Sequence, residues 1–144
     1  MRAHPVQSDP IRTNLVVFGQ GEDVIEGLQA HARDVPIKAG RVGPGIGAFS
    51  EAVLAFYNPE TQEYEEIPVE EQTEVLSLTG NIAQYEGAPR LHLHASLSRR
   101  TGECVGGHLL RGTVAPTLEV FVTRYEAPLE RTWDEASGLP LLPR

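Results

Sequence analysis

Residues 91–114, LHLHASLSRRTGECVGGHLLRGTV, contain the pattern that decides the fold. Their first half alternates apolar and polar residues, which is typical of a half-buried strand whose successive side chains point to opposite faces. The segment Arg99–Gly102 has the composition of a turn, and a hairpin centred there places His94 opposite His108. Because His92 lies two residues before His94, these two share a face. The sequence therefore predicts an antiparallel hairpin with three histidines on one face.

Three histidines on one face favour a metal site. Cross-strand partners lie about 4.5–5.5 Å apart at Cβ, so the three imidazoles can converge on one point. Neutral imidazoles gain little from clustering and protonated ones repel each other, whereas three nitrogen ligands with an open fourth position form a functional zinc site. We predict that His92, His94 and His108 bind a metal ion, with zinc as the expected one. Polar packing without a metal is the alternative.

Two glycines just before the third histidine leave its register open. A β-bulge at Gly106 and Gly107 would either turn His108 to the other face or aim it at the other two histidines. Close approach of a neighbouring backbone would also require glycine here. Cys104 is expected on the same face as His108, but four residues away, which is too far for it to be a ligand without distortion.

Length and composition indicate one soluble globular domain. The chain has 144 residues, of which 40% are hydrophobic and 22% charged. Its single cysteine excludes an intramolecular disulfide and favours a reducing compartment. No apolar run approaches the roughly 20 residues that span a bilayer, and the start, MRAHPVQSDP, lacks the apolar core of a secretory signal. We therefore expect a cytoplasmic protein without a membrane segment.

The net charge of −8 counts against nucleic acid as the main partner. Proteins that bind duplexes normally present a basic surface, because neutralising phosphates supplies most of the non-specific affinity. Arg99, Arg100 and Arg111 are the candidates for a local basic patch.

Around the hairpin, the pattern predicts several strands and one helix. Strands are expected over residues 12–19, 36–43, 47–57, 62–70, 74–82 and 118–127, and the helix over residues 23–35. Glycines at 43, 45 and 47 predict a corner between two strands rather than a phosphate-binding loop, since no helix follows them. The strand over residues 62–70 is expected at a sheet edge because it contains Pro68. Many short strands and one helix indicate an α+β fold that is mainly antiparallel β, with the helix on one side.

The chain divides into a flexible lead-in over residues 1–11, a domain over 12–127 and a tail over 128–144. The tail is expected to dock on the domain, because it contains Trp133 and three leucines. The core or a subunit interface is expected to contain the alternating apolar residues Val75, Leu76, Leu78, Ile82, Leu91, Leu93, Leu97, Leu109, Val120 and Val122.

Several of these motifs resemble the PPC (plant and prokaryote conserved) domain. EVLSLTGNI, HLHASLS and VGGHLLRGTVAPTLEVFV are similar to that family, as is the upstream VGPGIGAFSEAVLAFYNP. The match covers roughly residues 12–126, and HxHxS combined with GGHL is a specific pair. The resemblance implies a twisted antiparallel sheet that closes toward a barrel, assembled as a homotrimer. In plant members this domain follows AT-hooks, Arg-Gly-Arg-Pro peptides that this chain lacks.

The hairpin also resembles alpha-acetolactate decarboxylase, a distant relative in fold. That enzyme holds zinc with three histidines in an HxH…GGH arrangement, and its pattern maps onto His92, His94 and His108 one by one. The resemblance further implies glutamates and an arginine near the metal. Candidates for these roles are Glu74, Glu119 and Arg111.

Three hypotheses follow. The first is a trimeric zinc-binding protein with a possible small-molecule ligand or a decarboxylase-like activity on a small carbonyl compound. The second is a DNA-associated regulator without an AT-hook, supported locally by Arg99 and Arg100 at the hairpin tip. The third is a scaffold whose histidines pack at the trimer axis.

Overall fold

The computed structural model describes residues 12–143, so the predicted lead-in over residues 1–11 lies outside the described residues. Residues 12–143 form eight strands and one α-helix. In chain order these elements are β1 (Arg12–Gly19), α1 (Val24–Asp34), β2 (Ala39–Asn58), β3 (Glu63–Val69), β4 (Thr73–Tyr85), β5 (Ala88–Ser98), β6 (Cys104–Arg124), β7 (Thr132–Asp134) and β8 (Leu139–Leu141). No helix in this part of the chain is long and apolar enough to cross a membrane.

The six longer strands form one antiparallel sheet in the order β1-β6-β5-β4-β2-β3. In addition, β6 pairs with β2, which closes β6, β5, β4 and β2 into a ring of four strands. Over residues 12–143 the predicted fold class is confirmed, because the structure is a mainly antiparallel sheet with one helix and four of its strands form a closed ring. The strand β3 lies at the edge of the sheet, as Pro68 predicts.

The predicted corner at the glycines is wrong in one respect, because the two strands around it are a single strand. β2 runs unbroken over 20 residues, and the pairing with β6 shifts its register between Val42 and Gly45 and again between Gly47 and Phe49. A Cβ on Gly43, whose φ is 101°, would lie 2.3 Å from the carbonyl oxygen of Leu78. Glycine is needed here because β2 bends while it passes close to β4. β6 is likewise one strand of 21 residues, which includes most of the predicted strand 118–127.

The helix lies on one side of the sheet and is fixed at its start by Asp23. This residue caps α1, since its Oδ1 accepts a hydrogen bond from the Glu26 amide at 2.9 Å. Its Oδ2 accepts another from the Gly112 amide at 3.1 Å, which ties the helix to β6. One face of the helix, formed by Val24, Leu28 and Ala32, is buried against the sheet.

Most of the predicted core residues are buried, and one is not. The buried ones are Val75, Leu78, Ile82, Leu93, Leu97, Leu109, Val120 and Val122, while Leu91 is partly buried against them. Leu76 is 57% exposed. The pairing of β4 with β5 skips it, because the register shifts between Val75 and Ser77, and this bulge turns the side chain away from the core.

Residues 128–143 follow the sheet and contact it. The Gln84 amide donates to the carbonyl of Leu129 at 2.7 Å, and the Arg131 amide donates to the carbonyl of Gln84 at 2.8 Å. Further along, the Tyr57 hydroxyl donates to the carbonyl of Ser137 at 2.6 Å. β7 and β8 pair with each other in a small second sheet, and Trp133 remains 52% exposed.

We expect Gly43→Ala to lower the free energy of unfolding by more than Gly21→Ala does. Both glycines have positive φ, at 101° and 86°, so both alanines incur the backbone strain of about 1–2 kcal/mol. A Cβ at Gly43 also clashes with the β4 backbone, whereas a Cβ at Gly21 meets no atom within 4 Å. Chemical denaturation of the two variants measures the difference, and equal losses would contradict the close approach of β2 to β4.

Candidate metal centre

The hairpin of β5 and β6 has the predicted register. His94 pairs with His108, and the pairing continues without a shift to Ser98 and Cys104. At the tip, the Arg99 amide donates to the carbonyl of Glu103 at 2.8 Å. Since His92 lies two residues before His94, all three histidines lie on the same face of the sheet.

The three imidazoles are close enough to share one ion. Their candidate ligand nitrogens all lie within 4.8 Å of one another. The ring centroids are 5.2 Å apart for His92 and His94, 5.1 Å for His92 and His108, and 5.6 Å for His94 and His108. His94 is exposed, and His92 and His108 are half-buried, so the cluster is open on one side.

The glycines before His108 allow three strands to pack closely. No bulge interrupts the pairing of β6 with β5 at this point; the irregularity lies on the other side of β6, where the pairing with β2 skips Leu110. A Cβ on Gly107 would lie 2.8 Å from the carbonyl oxygen of Ala55, and one on Gly106 would lie 3.0 Å from that of Ala95. Close backbone approach, rather than a bulge, therefore accounts for this glycine pair.

The imidazole of His108 is held against an aromatic neighbour, and its buried Nδ1 has no hydrogen-bond partner within residues 12–143. The ring of Tyr64, from β3, stacks on it with centroids 4.7 Å apart and planes 24° apart. Among residues 12–143, no group forms a hydrogen bond with the buried Nδ1 of His108. A buried polar atom is normally satisfied, and coordination of an ion by the cluster would explain an imidazole placed in this way. The residues present thus fit a nitrogen-bound metal such as zinc.

The surroundings of His92 and His108 favour the neutral form of these two imidazoles. Burial, followed by the nearby His92, His94 and Arg90, lowers the pKa of His108 to about 4. The pKa of His92 is also lowered, by burial first and then by Arg131 and His94. A neutral imidazole has a free nitrogen lone pair, which is the form that binds metals.

A cleft of about 80 Å³ lies beside the histidines. Its walls are Tyr64, Arg90, Leu91, His92, His108, Arg131, Leu139, Pro140 and Leu141. Sequence reasoning missed both arginines and the tyrosine. Arg90 could have been found, because it precedes His92 by two residues and so continues the same face. Tyr64 and Arg131 come from a distant strand and from the tail, and no local pattern connects either with the hairpin.

The structure does not bring the other candidate site residues to the histidines within one chain. Glu74 is exposed and pairs with Ser98, four residues along β5 from His94. Glu119 is exposed 11 positions along β6 from His108, which corresponds to roughly 35 Å of strand. Arg111 is exposed on the far side of the Leu110 irregularity, and none of the three lines the cleft.

The fold and the site together define a small antiparallel β-sheet protein with an open cluster of three histidines. The chain belongs to the Plants and Prokaryotes Conserved (PCC) domain family, whose model matches residues 7–126. The predicted PPC resemblance is thus confirmed.

Similar proteins include one that contains a metal. A metal-containing protein of Archaeoglobus fulgidus is 30% identical, with a TM-score of 0.90 over 100% of both chains. A second similar protein, from Bacteroides thetaiotaomicron, is provisionally named a DNA-binding protein. It is also 30% identical, with a TM-score of 0.87 over 91% of each chain. Among curated proteins, the bifunctional protein GlmU of Synechococcus sp. (strain JA-3-3Ab) is 29% identical over 139 residues, or 95% of this chain and 21% of GlmU. The chain spans about a fifth of the length of this relative and of GlmU from a second Synechococcus strain, JA-2-3B'a(2-13).

The resemblance to the decarboxylase is confirmed at the level of fold alone. A Staphylococcus aureus protein described as similar to alpha-acetolactate decarboxylase matches with a TM-score of 0.55 at 13% identity. The match covers 78% of this chain and 52% of that one.

We expect acid to destabilise the chelator-treated protein partly through His108. Its pKa is about 4 in the folded chain and about 6.5 when unfolded. Between these values the unfolded chain binds the proton and the folded chain does not, so the free energy of unfolding falls as the pH is lowered from about 6.5 to 4. His108→Gln should make this fall shallower in denaturation experiments with EDTA. An unchanged slope would contradict the lowered pKa.

Proposed function

We propose that this protein binds one divalent transition-metal ion, zinc, through His92, His94 and His108. The observation that carries the proposal is the convergence of three ring nitrogens within 4.8 Å on one face of a paired sheet. Backbone pairing fixes the strands, so the ligands are positioned before an ion arrives. A relative described as metal-containing, similar over its full length, supports the same conclusion.

The ligand set suits a functional metal site rather than a closed structural one. Three protein ligands and a free position are typical of catalytic zinc, whereas structural zinc has four protein ligands. A zinc ion held here would supply a Lewis acid that polarises a carbonyl or activates a water molecule. The chain's own residues would hold the ion and, through Leu139, Pro140 and Leu141, form an apolar wall beside it.

A decarboxylase-like reaction has weaker support. Within residues 12–143, the walls of the cleft contain no carboxylate that could move a proton, because Glu74 and Glu119 lie elsewhere on the sheet. We therefore propose binding of a metal and of a small ligand, without assigning a reaction.

DNA-associated regulation is also less well supported. One of the two arginines at the hairpin tip is already paired, since Arg99 Nη1 lies 2.5 Å from Glu71 Oε1. The remaining exposed Arg100 is a small basic feature on a chain of net charge −8. Duplex binding usually needs a broader basic surface.

We further propose that the protein is a homotrimer, as the family resemblance implies. The outer face of β1, β6 and β2 presents exposed apolar side chains, and we call it the β1 face. Leu15 pairs with Phe121 across the strands, while Val17 and Ile46 flank Glu119 in the next row. Val17 and Ile46 are 61% and 68% exposed. Exposed apolar side chains grouped on one face, here around the single carboxylate of Glu119, are typical of protein–protein contacts.

Elemental analysis tests the metal site. Untagged protein purified without chelator should contain about one zinc ion per chain, since residues 12–143 contain one three-histidine cluster. His92→Ala/His94→Ala should lose the metal, because one imidazole alone does not hold it. His31→Ala, which removes a histidine from α1, is the matched control and should retain it. A metal-free wild type after reconstitution at neutral pH would refute the proposal.

Light scattering tests the assembly. The wild type should have three times the chain mass of 15.7 kDa. Val17→Lys and Ile46→Lys should shift the mass toward one chain, because each places a charge in the apolar contact. Phe56→Lys changes an equally exposed residue, 63% accessible, near the β3 edge and serves as the control. A trimer that survives both lysines would exclude the β1 face as the contact.

A further inference from the structure

Arg131 is a buried cation that forms no ion pair with a carboxylate of residues 12–143. Only 7% of its surface is exposed. Its Nη2 donates to Asn81 Oδ1 at 2.6 Å and its Nη1 to the carbonyl of Pro140 at 3.2 Å. Within residues 12–143, the ion pair of Arg99 and Glu71 is the only one found within 4 Å, so no acidic side chain neutralises Arg131. Burying a charge without a counter-charge is costly.

The two hydrogen bonds leave the Nε–H donor of this guanidinium unused within residues 12–143. Arg131 Nε is buried and forms no hydrogen bond within the described part of the chain. Burial and the nearby Arg90 lower the pKa of Arg131, while Tyr64 raises it. The surroundings therefore disfavour the charged form, and an anion at this place would relieve both the unpaired charge and the unused donor.

The cleft beside Arg131 is positive although the whole chain is acidic. Two arginines, Arg90 and Arg131, line it together with the imidazoles of His92 and His108, and its walls within residues 12–143 contain no acidic side chain. Arg90 also lies over the ring of Tyr85, with its Cζ 5.8 Å from the centroid. A cleft lined by charges of one sign concentrates the opposite charge.

We propose that this cleft binds the carboxylate of a small organic acid, with Arg131 and Arg90 as its cationic partners. The proposal deepens the proposed metal function, since the bound acid would lie beside the three histidines. A guanidinium matches the planar geometry of a carboxylate. The volume of about 80 Å³ is far below the roughly 300–1,000 Å³ of sites for larger ligands. The apolar wall of Leu91, Leu139 and Leu141 suits the hydrocarbon part of such an acid better than it suits inorganic phosphate.

The tail forms this subsite. Residue 131 reaches the cleft because its amide and the carbonyl of Leu129 bond to Gln84 on β4. Pro140, also in the tail, both lines the cleft and accepts a hydrogen bond from Arg131 at its carbonyl. The main chain of Arg131 is therefore held by Gln84, and its guanidinium by the Pro140 carbonyl and the Asn81 side chain.

Titration of the metal-free 144-residue chain with butyrate tests the subsite independently of the metal. NMR should show saturable shifts of the Arg131 Nε–H signal with butyrate and none with butyramide, which has the same shape without the charge. Inorganic phosphate should bind at least ten-fold more weakly than butyrate. If butyrate does not saturate, or if butyramide or phosphate binds as well, the carboxylate subsite is refuted.

Variants locate the binding. Arg131→Gln should weaken butyrate at least ten-fold and Arg90→Gln several-fold, whereas Arg100→Gln removes an equal charge at the hairpin tip and should leave the affinity unchanged. Should Arg131→Gln fail to fold, Arg131→Lys and the exposed Arg90→Gln decide the question. Equal affinity in Arg90→Gln, Arg131→Lys and the wild type would refute the proposal. If the protein binds butyrate but takes up no metal, the proposed metal site is refuted and the carboxylate subsite is not.

Discussion

The register of β6 is the constraint on which the rest of the structure depends. This strand pairs with β1, β5 and β2, so its alternation fixes which side chains face the core in three neighbouring strands. Leu109 is buried and the adjacent His108 lies on the opposite face, toward the cluster. A slip by one residue would exchange them, exposing a leucine whose burial contributes about 1.5–3 kcal/mol and burying an imidazole. The packing of the core thus maintains the geometry of the histidines.

The polar chemistry of the chain is concentrated where the sheet meets the tail. Four buried side-chain polar atoms within residues 12–143 have no hydrogen-bond partner, and two of them, His108 Nδ1 and Arg131 Nε, belong to residues of the same cleft. Folded proteins satisfy nearly all buried polar groups, so unsatisfied ones that lie together indicate a place where a ligand completes the bonding. The two atoms differ in kind. The imidazole nitrogen suits a cation, and the guanidinium suits an anion.

Local pattern was sufficient to predict the hairpin, its register and most of the core, because alternation and turn composition act between near neighbours. It did not predict that β2 continues through its glycines, since that depends on the pairing of β2 with β6 along most of its length. The bulge that exposes Leu76 is also set by a partner strand. Arg131 could not be found from the sequence, because only the folded tail brings it to the histidines. The resemblance to the decarboxylase suggested Glu74, Glu119 and Arg111 as site residues. Within one chain, none of them lies at the cleft.

The two edges of the described sheet differ in how they meet other molecules. At one edge, β3 carries Glu63, Glu65, Glu66 and Pro68, all exposed, and charges and proline discourage the addition of a further strand. At the other edge, β1 carries the exposed Leu15 and Val17. The addition of a further strand is therefore discouraged at the β3 edge but not at the β1 edge. We therefore expect a destabilised variant of this protein to aggregate through the β1 edge first.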